Sequence, residues 1–125
     1  MRRILATAAV STLALTGLAA CGDDDGGSSG AACEDSKEPA KIVKIRFADG
    51  KVTPNGDRVE VVKCQTVDFI VAADEEGEIH IHSDPEQEIA YEKGEKSFKV
   101  AFDKPGLVEV ESHDLDQVIV QLEIK

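Results

Sequence analysis

Val67-Asp68-Phe69-Ile70-Val71-Ala72 and, beyond the turn residues Glu75-Glu76-Gly77, Glu78-Ile79-His80-Ile81-His82 decide the fold. Successive side chains of a strand point to opposite faces. Val67, Phe69 and Val71 therefore line one side of the first run, and Ile79 and Ile81 face them from the second. Working outward, the same alternation marks short runs at 42–47, 58–62, 87–91, 97–102, 107–111 and 118–124. No window from Lys41 onward holds a helical period over three turns. The pattern predicts an all-β domain of about eight short strands, closed as a two-sheet sandwich or a small barrel.

Turn compositions separate the runs at Pro54-Asn55-Gly56, Ser83-Asp84-Pro85, Lys93-Gly94 and Lys104-Pro105-Gly106. The expected core continues with Phe98, Val100 and Phe102, then Leu107 or Val108 with Val110. It ends with Val118, Val120, Leu122 and Ile124 on one face of the last strand, which puts Ile119 on the opposite face. A single exposed apolar residue there is ordinary.

Ahead of this domain, Arg2 and Arg3 precede an Ala-rich apolar run ending in Leu18-Ala19-Ala20-Cys21. A charged start, an apolar stretch and small residues at its end are the parts of an export signal. A spanning helix would need about 20 strongly apolar residues, usually with polar flanks on both sides. The final four residues resemble the lipobox of bacterial lipoproteins, which implies cleavage before Cys21 and lipid attachment to its thiol. The alternative is an ordinary secretory signal cleaved after Ala19 or Ala20. Several acyl chains on one cysteine exceed the two-signal requirement for stable anchoring. The following Gly22-Asp23-Asp24-Asp25-Gly26-Gly27-Ser28-Ser29-Gly30 carries no large apolar residue and reads as a flexible tether. The chain thus divides into a signal peptide at 1–20, a lipid-anchored acidic linker at 21–40 and a β-sandwich domain at 41–125. Its expected place is the outer face of the bacterial cell membrane, held there through Cys21.

The net charge is −11, and losing residues 1–20 removes two arginines and no acid, so the mature chain stands at −13. Nucleic acid and anionic lipid are poor partners for such a surface. The acidity serves solubility or attracts cations or a basic partner, and composition leaves both open. With Cys21 committed to lipid, Cys33 and Cys64 remain as an even pair in an oxidising compartment, and a disulfide is expected. Paired thiolate ligands for a metal are the alternative, although no third soft ligand lies nearby in sequence.

The order Gln65-Thr66-Val67-Asp68-Phe69, Glu78-Ile79-His80-Ile81-His82, Lys104-Pro105-Gly106 and a short C-terminal strand resembles the cupredoxins, in particular the cupredoxin-like domains of small exported lipoproteins. The resemblance implies a Greek-key β-sandwich over 42–125. It also implies a first copper ligand at His80, with cysteine, histidine and methionine ligands on the loop after the Pro-Gly corner. Six places beyond Gly106, where the family carries its cysteine, stands Ser112; His113 follows at once, and Asp116 or Gln117 stands near the methionine position. A serine hydroxyl is a hard, weak ligand for copper, so blue-copper electron transfer is not expected.

All three histidines, His80, His82 and His113, fall in the two segments that a cupredoxin brings together at one end of its sandwich. His80 and His82, at i and i+2, share the strand face opposite Ile79 and Ile81, with bases roughly 7 Å apart. With Glu78, Asp84, Asp114 or Asp116 as oxygen donors, the histidines make a set suited to Cu(II) or Zn(II). The bland alternative is that they decorate a solvent face. Asp23-Asp24-Asp25 and Asp74-Glu75-Glu76 lack the spaced ligands of a calcium loop. Neighbouring strand residues diverge, which disfavours Ser112 and His113 as a nucleophile pair, and no catalytic signature occurs elsewhere. The expected function is a non-enzymatic, membrane-anchored, non-blue cupredoxin-like module that meets an envelope protein partner. The alternative is surface binding and delivery of copper or zinc through His80, His82 and His113.

Overall fold

Alternation becomes burial in β1 (Lys41–Ala48), where Val43, Ile45 and Phe47 point inward and the residues between them outward. The computed structural model describes Cys33 and residues 36–125. The segment read as an export signal, Cys21 and the Asp23-Asp24-Asp25 segment read as a tether lie outside the described residues. After β1 come β2 (Lys51–Thr53), β3 (Asp57–Val61), β4 (Val67–Ala73), β5 (Gly77–Ile81), β6 (Gln87–Tyr91), β7 (Gly94–Val100), β8 (Gly106–Ser112) and β9 (Gln117–Ile124). They form two mixed sheets, β2-β1-β4-β7 and β3-β9-β8-β5-β6. The pairs β1 with β4 and β3 with β9 are parallel and the rest antiparallel. Val67, Phe69 and Val71 meet Ile79 and Ile81 in one buried cluster, as the alternation requires.

Three sequence expectations are corrected. The described residues hold nine strands and not eight, because β2 pairs with β1 through a two-residue turn at Asp49-Gly50. Both turn residues have positive φ, 53° and 68°, the geometry that matches strand twist in a tight hairpin and that Asp-Gly adopts readily. The run expected at 97–102 begins earlier, at Gly94, and ends at Val100; Phe102 is buried beyond the strand end. Ile119 is fully buried, not exposed. The β8–β9 register runs Val110↔Val120 and then Glu111↔Val118, so Ile119 is the extra residue of a β-bulge, and the bulge shifts the inward phase of the strand.

Cys33 and Cys64 form a disulfide across a sequence separation of 31, with Cα atoms 5.1 Å apart. Next to it the buried Gln65 accepts a hydrogen bond from the Val62 amide at 2.9 Å and donates to the Pro39 carbonyl at 2.7 Å. Together they fasten the segment before β1 to the β3–β4 connection.

Candidate metal centre

β5 delivers the site, because burying Ile79 and Ile81 turns Glu78 and His80 to the outside of the five-stranded sheet. His80 pairs in register with Glu88 on β6 and Glu111 on β8, so the ladder sets carboxylates on both sides of one imidazole. His82 follows directly after β5, its amide donating to the Glu109 carbonyl at 2.9 Å. The β5–β6 turn is tied by Ser83, whose hydroxyl donates to the Pro85 carbonyl at 2.6 Å and accepts from the Gln87 side chain at 3.2 Å. This turn carries Glu86 to the histidines. His113 comes from the loop after β8, which the Asp114 carboxylate holds by accepting from the Glu78 amide at 3.3 Å. Gly77 permits that closure: a Cβ there would stand 2.8 Å from Asp114 Oδ2 and would clash with the Tyr91 hydroxyl.

The nitrogen–oxygen distances fall into two groups. His80 Nε2 lies 2.6 Å from Glu78 Oε1, and His82 Nε2 lies 2.8 Å from Glu111 Oε1. The opposite nitrogens are looser: His80 Nδ1 is 3.7 Å from Glu86 Oε1 and 3.8 Å from Glu88 Oε1, and His82 Nδ1 is 3.3 Å from the same Glu86 oxygen. The His80 side chain is 13% exposed against 41% for His82. The hydrogen bond to Glu78 raises the His80 pKa above its ordinary value of 6.5, helped by the charges of Glu78 and Glu88 and opposed by partial burial. Among the described residues, Glu78, His80 and Glu88 form a group with ligand atoms mutually within 4.8 Å.

His80 and His82 lie with ring centroids 6.5 Å apart, and His113 stacks on His80 at 4.6 Å with the planes 24° apart. Of the oxygen donors read from sequence, Glu78 reaches His80, whereas Asp84 pairs with Lys104 and Asp114 braces its own loop. Asp116 stays exposed, and the Gln117 side-chain carbonyl accepts from Asn55 at 3.1 Å. Sequence reasoning missed Glu86, Glu88 and Glu111. The β5–β6 turn, β6 and β8 bring them to the histidines, a pairing that strand register sets and local spacing does not. Ser112 sits opposite Ile79, fully buried on the core face, its Oγ accepting from the Leu115 amide at 3.4 Å. By strand alternation, Ser112 and His80 occupy opposite faces of the sheet. In the Asp74-Glu75-Glu76 turn, Asp74 accepts from the Asp49 amide at 2.9 Å.

No protein-family model matches the chain. No curated protein matches it either. Solved structures do. A multi-copper oxidase from Pseudomonas thermotolerans aligns over 76% of this chain and 32% of its own, at 17% identity and a TM-score of 0.54. Blue copper oxidase from Nitrosomonas europaea aligns over 69% and 44%, at 14% identity and 0.51. A reduced Cu(I) form of an amicyanin mutant aligns over 72% and 86%, at 12% identity and 0.50. The chain spans only 27% to 44% of the length of the first three oxidases it matches. At such identities the likeness is one of fold, and the fold is the cupredoxin-like β-sandwich.

Proposed function

We propose that this chain is an extracytoplasmic lipoprotein, anchored to the outer face of a membrane through lipid on Cys21, whose cupredoxin-like domain is a non-blue binding module and not an enzyme. The observation that carries this reading is Ser112. Six places beyond Gly106, where the sequence resemblance implies a thiolate ligand, this serine is sealed in the core, with His80 on the far side of the sheet. Cys33 and Cys64 are spent on each other, so the described residues offer no free thiol and do not fit a thiolate–copper centre. The disulfide supports an oxidising compartment, and the acidic surface favours a protein or cation partner over nucleic acid. The copper-loaded full-length protein is expected to lack the intense visible charge-transfer band of a copper–thiolate bond. Such a band would overturn the non-blue reading. Cys21→Ser is expected to move the chain from the membrane to the soluble fraction, and an unchanged distribution would remove the anchor.

A second reading, capture and delivery of copper or zinc at the surface, is favoured by the convergence of His80, His82 and His113 with four glutamates.

A further inference from the structure

We propose that the recess at the loop end of the sandwich binds an organic ammonium group, carried by a free alkylamine or by a partner protein's lysine, through the Tyr91 hydroxyl and the carboxylates of Asp74 and Asp114. The site goes beyond the proposed function. It needs neither a metal at the histidines nor the membrane anchor.

The β1–β2 hairpin, the β4–β5 turn and the β8–β9 loop meet around a recess of about 400 Å³, lined by the acids Asp74, Glu75, Glu76 and Asp114. Acidity alone would mark nothing on a chain of net charge −11. Tyr91 distinguishes the place. It is only 6% exposed, and its ring stacks on Phe47 with centroids 4.7 Å apart. A buried phenol ordinarily finds a hydrogen-bond partner. Among the described residues the Tyr91 hydroxyl has none, and since no fully buried polar atom there is left unpaired, the hydroxyl opens into the recess. It and Asp114 Oδ2 crowd the one point where a Gly77 Cβ would stand. Burial, then the charges of Asp114 and Asp74, push the phenol pKa up to about 12, which reflects both carboxylates close to the hydroxyl.

The two carboxylates are fixed in advance. Asp74 accepts from the Asp49 amide at 2.9 Å and Asp114 from the Glu78 amide at 3.3 Å, each through Oδ2. A carboxylate has two oxygens and about four lone-pair sites, so each keeps an oxygen for a ligand. Acceptors offered from three separate elements suit a cation that carries its own donors. An ammonium nitrogen holds acceptors at about 2.8 Å, and so about 4.6 Å from one another, against about 3.3 Å around a tetrahedral metal ion. The close-set metal-ligating trio of the described residues, Glu78, His80 and Glu88, belongs to the histidine face and not to this recess. Leu115, partly buried in the wall, gives an alkyl stem an apolar contact. Lys51 also lines the recess, but the lysine ion pairs among the described residues are those of Lys104 and Lys125. No internal ammonium takes the place.

The test is NMR titration of the full-length protein in a nonionic detergent, with EDTA present and at about 0.15 M salt, where exposed charges more than about 8 Å apart are screened. The probes are butylamine, a blocked Gly-Lys-Gly peptide and the same peptide with its lysine acetylated. Butylamine or the lysine peptide should saturate at one per chain and move the Tyr91 ring and the Gly77 and Asp114 amides, a readout on the unaltered protein; the acetylated peptide should not bind. Tighter binding of the lysine peptide assigns the site to a protein partner, and tighter binding of butylamine to a free amine. Tyr91→Phe, which keeps the ring on Phe47, should weaken binding about fivefold and Asp114→Asn about tenfold, the scale of one lost hydrogen bond to a charged group. Glu123→Gln makes the same charge change at the far end of β9 and should leave affinity within about twofold. Affinity weaker than about 10 mM, equal binding of the acetylated peptide, or equal losses in Asp114→Asn and Glu123→Gln would overturn the site. With EDTA removing any metal, that failure would leave the metal-capture reading untouched.

Discussion

At the residue scale, His80 shows how a short strand concentrates chemistry. One side chain faces Glu78 from its own strand and Glu88 across the ladder, and these groups stabilise the imidazolium, so its pKa is raised. The sign of the pH effect follows. A group with a raised folded-state value adds stability that is fully present below its unfolded value of about 6.5 and is lost as pH rises through the folded one. In the metal-free protein, urea midpoints should therefore fall as pH climbs past that window. The His80 ring protons should titrate above 6.5, and Glu78→Gln should bring them back toward it, since the Glu78 hydrogen bond is the largest cause. A His80 that titrates at 6.5 or below in the unaltered protein would contradict this account. The histidines were legible from sequence because i, i+2 spacing survives any register. The oxygen donors were not, because which glutamate meets which imidazole depends on strand partners that lie far apart in sequence or across a turn.

At the element scale, period-two reading recovered the facing core residues of β4 and β5 and failed where the ladder breaks. Val52 alone cannot announce a three-residue strand, so β2 escaped the alternation, although Asp49-Gly50 between Phe47 and Val52 carries a hairpin signature. In β9 the alternation puts Val118 inside and Ile119 outside. The bulge buries Ile119 completely and leaves Val118 partly exposed. The two arrangements predict opposite rankings of stability. With the bulge, Ile119→Ala opens a cavity in the core and should cost about 2–5 kcal/mol, whereas Val118→Ala should cost clearly less. Urea denaturation of the two variants decides between them, and a costlier Val118→Ala would mean an unbroken strand.

At the scale of the whole molecule, the domain works with a modest apolar inventory: no Trp, one Tyr and four Phe in the chain. A small sandwich of this kind has little stability to spare, and the Cys33–Cys64 bridge joins a point before β1 to one after β3. Closing a loop of this length removes freedom from the unfolded chain worth about 3 to 4 kcal/mol in the chain-entropy model. Replacing both cysteines with alanine should then lower the melting temperature by some 12–30 °C, at about 4–8 °C for each kcal/mol in a domain of this size. The bridge ties the segment before β1 to the β3–β4 connection, whereas the histidine face is built on β5, β6 and β8. Zinc affinity, measured well below the melting point, should consequently be unchanged in the alanine pair. A large loss of stability with intact binding would separate the fastening of the fold from the chemistry of its outer face. A loss below about 1 kcal/mol would show that the segment before β1 is already held by Gln65 and the β1 ladder alone.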